Sequence, residues 1–275
     1  MTAVGRRLIE PLIERQIMDR LAAMESEEGA TIVYACEAGS RAWGFESPDS
    51  DYDVRFVYVR PRDWYLSFDV ERRRDVIERP IVDDIDCSGW DVRKALHLFA
   101  RTNGALLEWL NSPVRYVERG SFAVSLRQLA EAHFNATALC YHYSHMARRN
   151  FRERLIGSQV RLKKYLYVLR PLLAIRHIER GLGVPPVRFE SLVEAVAPDA
   201  ARPGIAKLLD VKRAAPERGT GEPIPELNRF IDAELDRHRD AFSGLGRPNL
   251  LESADLGLRL NAIFRETINE AEDFR

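Results

Sequence analysis

The chain has 275 residues, of which 45% are hydrophobic and 30% charged, and its formal net charge is −1 at pH 7. This size and composition predict a soluble globular protein with a substantial core, and the near-zero charge excludes a global attraction to nucleic acid or membrane. No apolar run is long enough to span a bilayer, and the first residues lack the pattern of a signal peptide. Three widely separated cysteines without a CxxC pair argue against zinc or disulfides, so we expect a cytoplasmic protein without a membrane partner.

The first half of the chain alternates helix and strand signals. The predicted elements are an opening helix through Leu8–Leu21, strands over Ala30–Ala35, Tyr52–Arg60 and Val76–Cys87, and helices from Trp90 to Ser112. The strand signals end near Ser112–Ser121, which predicts a boundary there.

The second half carries helical patterns almost throughout. Helices are predicted over Arg127–Leu155, as one long helix or two, and over Gln159–Glu179, Phe189–Val196, Pro203–Ala215, Glu226–Phe242 and Ser253–Phe274. Together the two halves predict an α+β fold, in which a small mixed sheet with packed helices is followed by an all-helical domain. We place the two domains at residues 1–118 and 119–275, with the functional cleft between them.

The stretch from Tyr34 to Tyr58 holds the most informative pattern of the chain: Gly39-Ser40, ten residues, then Asp51-x-Asp53. Carboxylates at positions i and i+2 of a strand share one face, where a hard cation such as magnesium can be held. Glycine lets backbone amides approach a phosphate, and the serine hydroxyl can donate to it. The alternative interpretation is an ordinary Asp-rich turn, since such loops are common.

The same pattern resembles the signature of the DNA polymerase β nucleotidyltransferase superfamily. The resemblance implies transfer of a nucleotidyl group from a nucleoside triphosphate to a hydroxyl, with release of pyrophosphate. It also implies Mg²⁺ or Mn²⁺ held by Asp51 and Asp53, and a triphosphate held at Gly39 and Ser40. The absence of GxSxG and Gly-Lys-Ser patterns excludes the hydrolase-elbow and P-loop interpretations.

Members of this superfamily need a third carboxylate from a neighbouring strand, and Asp86 is the residue we select. If the third predicted strand passes through Ile85, Asp86 lies near its end, as a metal ligand or as the base that accepts the hydroxyl proton. The alternative is that Asp86 caps the helix beginning near Trp90, although Ser88 or Gly89 is better placed to do so. Asp91 is the other candidate for the third carboxylate, but its position is typical of an acid in the first turn of a helix.

Three segments narrow the resemblance to a bacterial and phage family of predicted nucleotidyltransferases associated with RNA repair and RNA ligases. They are GSRAWGFESPDSDYDVRFVYVRP, DCSGWDVRKALHLFARTNGALLEWLNSPVRY and VRLKKYLYVLRPLLAIRHI. The resemblance implies an RNA end as acceptor and an RNA ligase or repair enzyme as partner. It also implies that Arg41, Trp43 and Phe45 shape the nucleotide pocket, whereas simple packing of the loop explains Trp43 and Phe45 equally well.

The third segment is also informative physically. Lys163, Tyr167 and Arg170 fall on one flank of the predicted helix, with Lys164 close by. The window His142–Arg180 holds ten Lys and Arg residues and two acids, which suits a triphosphate or a nucleic-acid backbone. The alternative is a solvated basic face.

Two other functions remain open at this stage. The chain could be a non-catalytic nucleotide- or RNA-binding partner of a ligase, or it could transfer nucleotides to a small molecule or a protein side chain, because one fold can host several acceptors.

Overall fold

The computed structural model describes residues 9–154, 160–214, 219–239 and 254–274. The strands are Thr31–Glu37 (β1), Tyr52–Val59 (β2), Val76–Glu78 (β3), Ile85–Asp91 (β4), Arg115–Glu118 (β5), Val160–Arg161 (β6) and Thr220–Gly221 (β7). The helices are Pro11–Glu28 (α1), Gly39–Trp43 (α2), Arg62–Tyr65 (α3), Val92–Ala100 (α4), Gly104–Leu110 (α5), Phe122–His133 (α6), Ala136–Arg154 (α7), Leu162–Glu179 (α8), Phe189–Val196 (α9), Arg202–Ala214 (α10), Pro225–Arg237 (α11) and Ala254–Glu272 (α12). Within this part of the chain no helix has the length and apolarity needed to cross a membrane.

Five strands form one mixed sheet in the order β3-β4-β2-β1-β5. β2 and β4 run parallel, whereas the other pairs are antiparallel. β6 and β7 form a separate two-stranded ribbon beside the start of α8. The predicted α+β class, with a small mixed sheet and a helical second half, is therefore confirmed.

The sheet is covered on both faces, and β1 is buried along its whole length. Alternate residues of a strand point to opposite faces. Val54, Phe56 and Tyr58 of β2 pack with α1, whereas Val57 and Val59 belong to the larger core formed with the later helices. Asp53 and Arg55 alternate with the first set and therefore share the face of the later helices.

The larger core continues across the predicted boundary at 118/119, since it contains buried residues from both halves, from Val33 to Ala271. The final helix α12 returns to the first half and packs against α4, β1 and β2 as well as α6. The division into two domains stays a prediction.

The prediction of one strand over Val76–Cys87 is wrong. That segment contains β3 and the start of β4, separated by a turn in which Asp83 and Asp84 have positive φ angles of 49° and 58°. β4 then continues through Asp91, beyond the predicted end. The sequence pattern also missed β5, a short outer strand in which only Val117 is buried, because such a strand has little apolar signal.

The segment Arg127–Leu155 contains two helices, one of the alternatives left open. The chain is non-helical at Phe134 and Asn135, and the Asn135 side chain accepts a hydrogen bond from the Ala138 amide at 2.9 Å, so it begins α7. Parts of the predicted helices lie outside the described residues: Leu8, Leu155, Gln159, Ala215, 240–242 and Ser253.

Candidate active site

The parallel strands β2 and β4 bring two of the predicted carboxylates side by side. Asp53 pairs in register with Asp86 across the two strands, and Asp51 lies in the loop just before β2. The side chains of Asp53 and Asp86 are each 29% exposed. Asp86 lies inside β4 and does not cap a helix; that alternative is wrong, because Asp91 caps α4 by accepting from the Arg93 amide at 2.9 Å.

Gly39 lies directly against Asp53, as the Gly-Ser pattern predicts for a shared site. Its φ is +58°, and a Cβ atom built there would stand 2.0 Å from Asp53 Oδ2. The neighbouring Ala38 amide donates to the Asp53 carbonyl at 2.8 Å, which joins α2 to β2. Only glycine allows this approach. Ser40 follows in α2 and is buried.

Arg55 bridges the two carboxylates. Its Nη2 atom donates to Asp53 Oδ1 at 2.9 Å and to Asp86 Oδ2 at 2.7 Å. Burial raises the pKa of Asp53, the Arg55 guanidinium opposes this shift, and the charges of Asp86 and Asp51 add to it. Like charges thus lie close together with one arginine between them, an arrangement that attracts a further cation.

Glu37, at the end of β1, is a fourth carboxylate that the sequence interpretation did not select. It is fully buried; its Oε1 atom accepts from the Asp53 amide at 2.9 Å and its Oε2 atom from the Tyr116 hydroxyl at 2.5 Å. Burial raises its pKa to about 7, an effect that Tyr116 partly opposes. The sequence signal that could have identified Glu37 is an acid at the end of an otherwise apolar strand, TIVYACE. A buried acid in such a strand must have a local partner.

A cleft of about 680 Å³ opens between the Asp-rich loop and the start of α8. Its lining residues include Asp49, Asp51, Asp84, Arg161, Lys163, Lys164 and Tyr167. The ammonium groups of Lys163 and Lys164 lie 5.3 and 5.4 Å from the centre of the Tyr167 ring. Burial lowers the pKa of Lys163, whereas Asp53 and Asp51 raise it, so the lysine and the carboxylates act on each other. The structure therefore brings these three residues of α8 to Asp51.

Arg170, on the same helix, is not brought to this cleft. It is 1% exposed; its Nη1 atom donates to Glu108 Oε1 at 2.7 Å and its Nε atom to the Val187 carbonyl at 3.3 Å. Glu108 also accepts from Trp43 Nε1 and from the Tyr143 hydroxyl, each at 3.0 Å. Arg170 thus belongs to an interior hydrogen-bond cluster that joins α2, α5, α7 and α8, and not to the cleft that Lys163 lines.

The predicted pocket-shaping residues have structural contacts. The Arg41 guanidinium donates to the carbonyls of Ser50 and Asp51 at 2.6 and 3.2 Å, and it lies 3.8 Å from the centre of the Tyr52 ring. It therefore fixes the loop that carries Asp51. Phe45 is buried. The Trp43 ring packs edge-on against Tyr167, with centroids 5.3 Å apart. Trp43 and Phe45 thus pack against Tyr167, which lines the cleft.

The donor set fits magnesium shared with a substrate. Within the described ranges, no three His, Cys, Asp or Glu side chains are grouped closely enough to hold a metal ion alone. Magnesium, however, is usually held by one or two carboxylates together with substrate phosphates and waters. Asp51 and Asp53, next to the glycine turn, are the residues that would supply the protein ligands of such a site.

A mixed sheet with paired carboxylates at one end and lysines across the cleft defines a nucleotidyltransferase-like protein. Comparison with known families agrees: residues 13–259 match the model of the RNA repair pathway DNA polymerase beta family. The chain belongs to this family, which confirms the resemblance seen in the sequence.

The chain is 43% identical over 259 residues to the uncharacterized protein YcgL of Bacillus subtilis strain 168, covering 94% of this chain and 97% of that protein. A crystal structure of a nucleotidyltransferase-like protein from Exiguobacterium sibiricum 255-15 aligns at 12% identity with a TM-score of 0.29, over 94% of this chain and 78% of that one.

Proposed function

We propose that the protein is a metal-dependent nucleotidyltransferase that moves a nucleoside monophosphate from a nucleoside triphosphate to a hydroxyl at an RNA end. The observation that supports this most is the pairing of Asp53 with Asp86 beside Gly39, next to a cleft that Asp51 lines together with Lys163 and Lys164. We also propose a cytoplasmic site of action and a partner that is an RNA ligase or another RNA repair enzyme, consistent with the family.

Each part of the site has a chemical task in this proposal. Lys163 and Lys164 neutralise the phosphates of the donor, and the backbone at Gly39 and Ser40 approaches them. Tyr167 lines the cleft, where its ring orients the two ammonium groups or stacks on the donor. Asp51 and Asp53 hold Mg²⁺ or Mn²⁺, and Asp86 completes the site. When bound, the metal ion neutralises charge that develops on the transferring and leaving phosphates.

The reaction follows from these positions. The acceptor hydroxyl oxygen attacks the α-phosphorus in line, the bond to the β-phosphate breaks, and pyrophosphate leaves. The hydroxyl proton passes to the carboxylate cluster. Glu37 accepts a hydrogen bond from the Asp53 amide and so fixes the position of the Asp53 carboxylate.

The test is to incubate the protein with each α-labelled nucleoside triphosphate, magnesium or manganese, and a short RNA with a free 3′ hydroxyl. Label should enter the RNA only with metal and with one or more of the nucleotides. Asp53→Asn should lower the rate about 10³-fold or more, because several kcal/mol of charge stabilisation is lost. Asp63→Asn, an exposed acid on α3, is the matched control and should keep the full rate.

The outcomes separate the candidate functions. Label on the protein itself or on an added aminoglycoside, but not on RNA, would replace the RNA end with another acceptor. Nucleotide binding without any transfer, with or without a ligase, would support the non-catalytic partner instead. The free energy of unfolding of Asp53→Asn should equal or exceed that of the natural protein, because burial and like charges already disfavour the ionised Asp53. Urea unfolding of the variant checks this, and unchanged stability would show that a loss of activity is not due to unfolding.

A further inference from the structure

Arg55 lies between the two strands that carry the paired carboxylates. It follows Asp53 by two residues on β2 and pairs in register with Ser88 of β4. Its Nη2 atom donates to carboxylate oxygens of Asp53 and Asp86, at 2.9 and 2.7 Å. Its Nη1 atom donates to the carbonyls of Asp86 and Val54, at 3.0 and 3.1 Å. One guanidinium thus spans both strands through side chains and backbone.

This contact is more than a surface ion pair. The Arg55 side chain is 19% exposed and each carboxylate 29%, so all three are largely shielded from water. Two negative side chains share a single positive one, and the position of the guanidinium is fixed by two further hydrogen bonds to backbone carbonyls. Shielded like charges repel strongly when the opposite charge is removed.

Arg55 also occupies the position in which a cation would bridge the two carboxylates. A magnesium ion bound to Asp53 Oδ1 and Asp86 Oδ2 would stand about 2.1 Å from each oxygen. The guanidinium nitrogen already lies within hydrogen-bond distance of both. Arginine and cation therefore compete for the same oxygens.

We propose that Arg55 is a positioning residue that holds Asp53 and Asp86 together in the nucleotide-free protein and releases them when a divalent cation arrives with a nucleoside triphosphate. The proposal rests on the nucleotidyltransferase function proposed above. A divalent cation alone must lose part of its hydration and displace the two hydrogen bonds of Arg55 to the Asp53 and Asp86 carboxylates. A triphosphate supplies further ligands to the cation and gives the released guanidinium a phosphate to bind. Cation and nucleotide should therefore bind with positive coupling.

The experiment measures Mn²⁺ binding from the paramagnetic resonance signal of the free ion, with and without a non-hydrolysable nucleoside triphosphate analogue. In the natural protein the analogue should tighten Mn²⁺ binding about ten-fold or more, within the usual range of coupling. Arg55→Gln should bind Mn²⁺ alone about ten-fold more tightly than the natural protein, and the coupling to the analogue should weaken. Arg55→Lys carries one compact charge in place of the planar guanidinium. Its Mn²⁺ affinity should lie between those of the natural protein and Arg55→Gln.

The matched control is Arg79→Gln, which removes an arginine paired with Glu27 and Glu28 outside the cleft. It should bind Mn²⁺ as the natural protein does, with the same coupling. A second readout is the thermal midpoint: Mn²⁺ should raise it more in Arg55→Gln than in the natural protein, because the cation then replaces the missing guanidinium.

Each result decides a different question. If the natural protein and Arg55→Gln bind Mn²⁺ alone with equal affinity, Arg55 is only a structural ion pair and the inference is overturned. The proposed function still stands in that case if the analogue promotes Mn²⁺ binding to the natural protein. If no form binds Mn²⁺ even with the analogue, both the proposed function and the role of Arg55 fail. If Arg55→Gln does not fold, Arg55→Lys decides, since unchanged Mn²⁺ affinity in that variant contradicts the inference.

Discussion

Two of the regions with buried or half-buried charge, around Glu108 and around Asp53, differ in how that charge is paired. Around Glu108, one carboxylate faces one guanidinium, and two neutral donors, Trp43 and Tyr143, complete its hydrogen bonds. Around Asp53, several carboxylates lie together, and Arg55 is the cation that bridges two of them. The first cluster pairs one carboxylate with one guanidinium, whereas in the second, unbalanced cluster two carboxylates share one guanidinium beside an open cleft.

The difference separates a structural role from a functional one. A balanced, hydrogen-bonded pair joins elements and needs no ligand, so Arg170 and Glu108 connect four helices in the interior. Repulsion within an unbalanced cluster raises the free energy of the ligand-free protein. Binding of a cation and a nucleotide relieves that repulsion. Arg170 and Lys163 show this contrast on one helix, since α8 carries Arg170 into the first cluster and Lys163 to the second.

The largest expected effect comes from breaking the balanced cluster. Glu108→Ala should lower the free energy of unfolding by about 3–5 kcal/mol, because it leaves the buried guanidinium of Arg170 without its counter-ion. Urea denaturation measures this. Glu78→Ala, which breaks the exposed Arg74–Glu78 pair, is the control and should cost about 1 kcal/mol or less. Equal losses in the two variants would contradict the assignment of a structural role to the cluster.

The next test disturbs the unbalanced cluster without changing its charge. Gly39→Ala should lower the transfer rate about 10²-fold, since its Cβ would stand 2.0 Å from Asp53 Oδ2 and displace that carboxylate. Gly29→Ala is the matched control, because Gly29 has nearly the same φ, +57°, and open space around it. Both variants should lose similar stability from backbone strain. If both also lost activity equally, contact with Asp53 would not explain the effect.

A third test concerns Asp91, which is buried and accepts hydrogen bonds from two neutral donors, the Arg93 amide and the Tyr65 hydroxyl. Burial raises its pKa to about 6 from an ordinary 3.8, so the folded protein binds more protons than the unfolded chain between these values. The charged side chain therefore lowers stability as pH rises from about 4 to 6. Asp91→Asn, which can still cap α4, should remove this loss.

The measurement is urea unfolding of Asp91→Asn and the natural protein at pH 4.5 and pH 7. The difference in stability should shift in favour of the variant at the higher pH, by about 1–3 kcal/mol. A constant difference between the two pH values would show that Asp91 does not titrate in this range.

The smallest expected effect comes from removing one positive charge from the lining of the cleft. Lys163→Gln should weaken binding of the nucleoside triphosphate about ten-fold, because one charge-assisted hydrogen bond to a phosphate is lost. Lys207→Gln, at an exposed position of α10, is the control and should leave the affinity unchanged. Isothermal titration with a non-hydrolysable analogue measures both. A similar loss in the two variants would indicate general charge attraction rather than a site at Lys163.

Some parts of the site could be predicted from the sequence because the signal is local. The spacing of Asp51 and Asp53 predicted that they lie together, and the structure has Asp53 on β2 and Asp51 in the loop just before it; a glycine beside a serine predicted a close backbone approach, which Gly39 makes to Asp53. Asp86 was selectable because the resemblance demands one more carboxylate from a neighbouring strand. In the structure it pairs directly with Asp53. The roles of these residues stay predictions until the transfer assay is made.

Other parts could not be predicted, because they depend on which segments meet. Helical spacing places Arg170 within reach of Lys163, yet the packing of α5 and α7 against α8 turns Arg170 inward to Glu108. Arg55 looks like an ordinary strand arginine until β4 lies parallel to β2. Glu37 looks like the end of a strand until Tyr116 of β5, a strand with almost no apolar signal, closes over it.

The sequence by itself determined the fold class, the family and the local order of glycine and carboxylates, since these follow from periodicity and short spacings along the chain. Only the tertiary structure decided which charges are balanced and which are not. The pKa of a side chain and the partner of an ion pair depend on burial and on neighbours distant in sequence. Strand pairing and helix packing, rather than composition, therefore separate Lys163 from Arg170 and join Arg55 to Asp86.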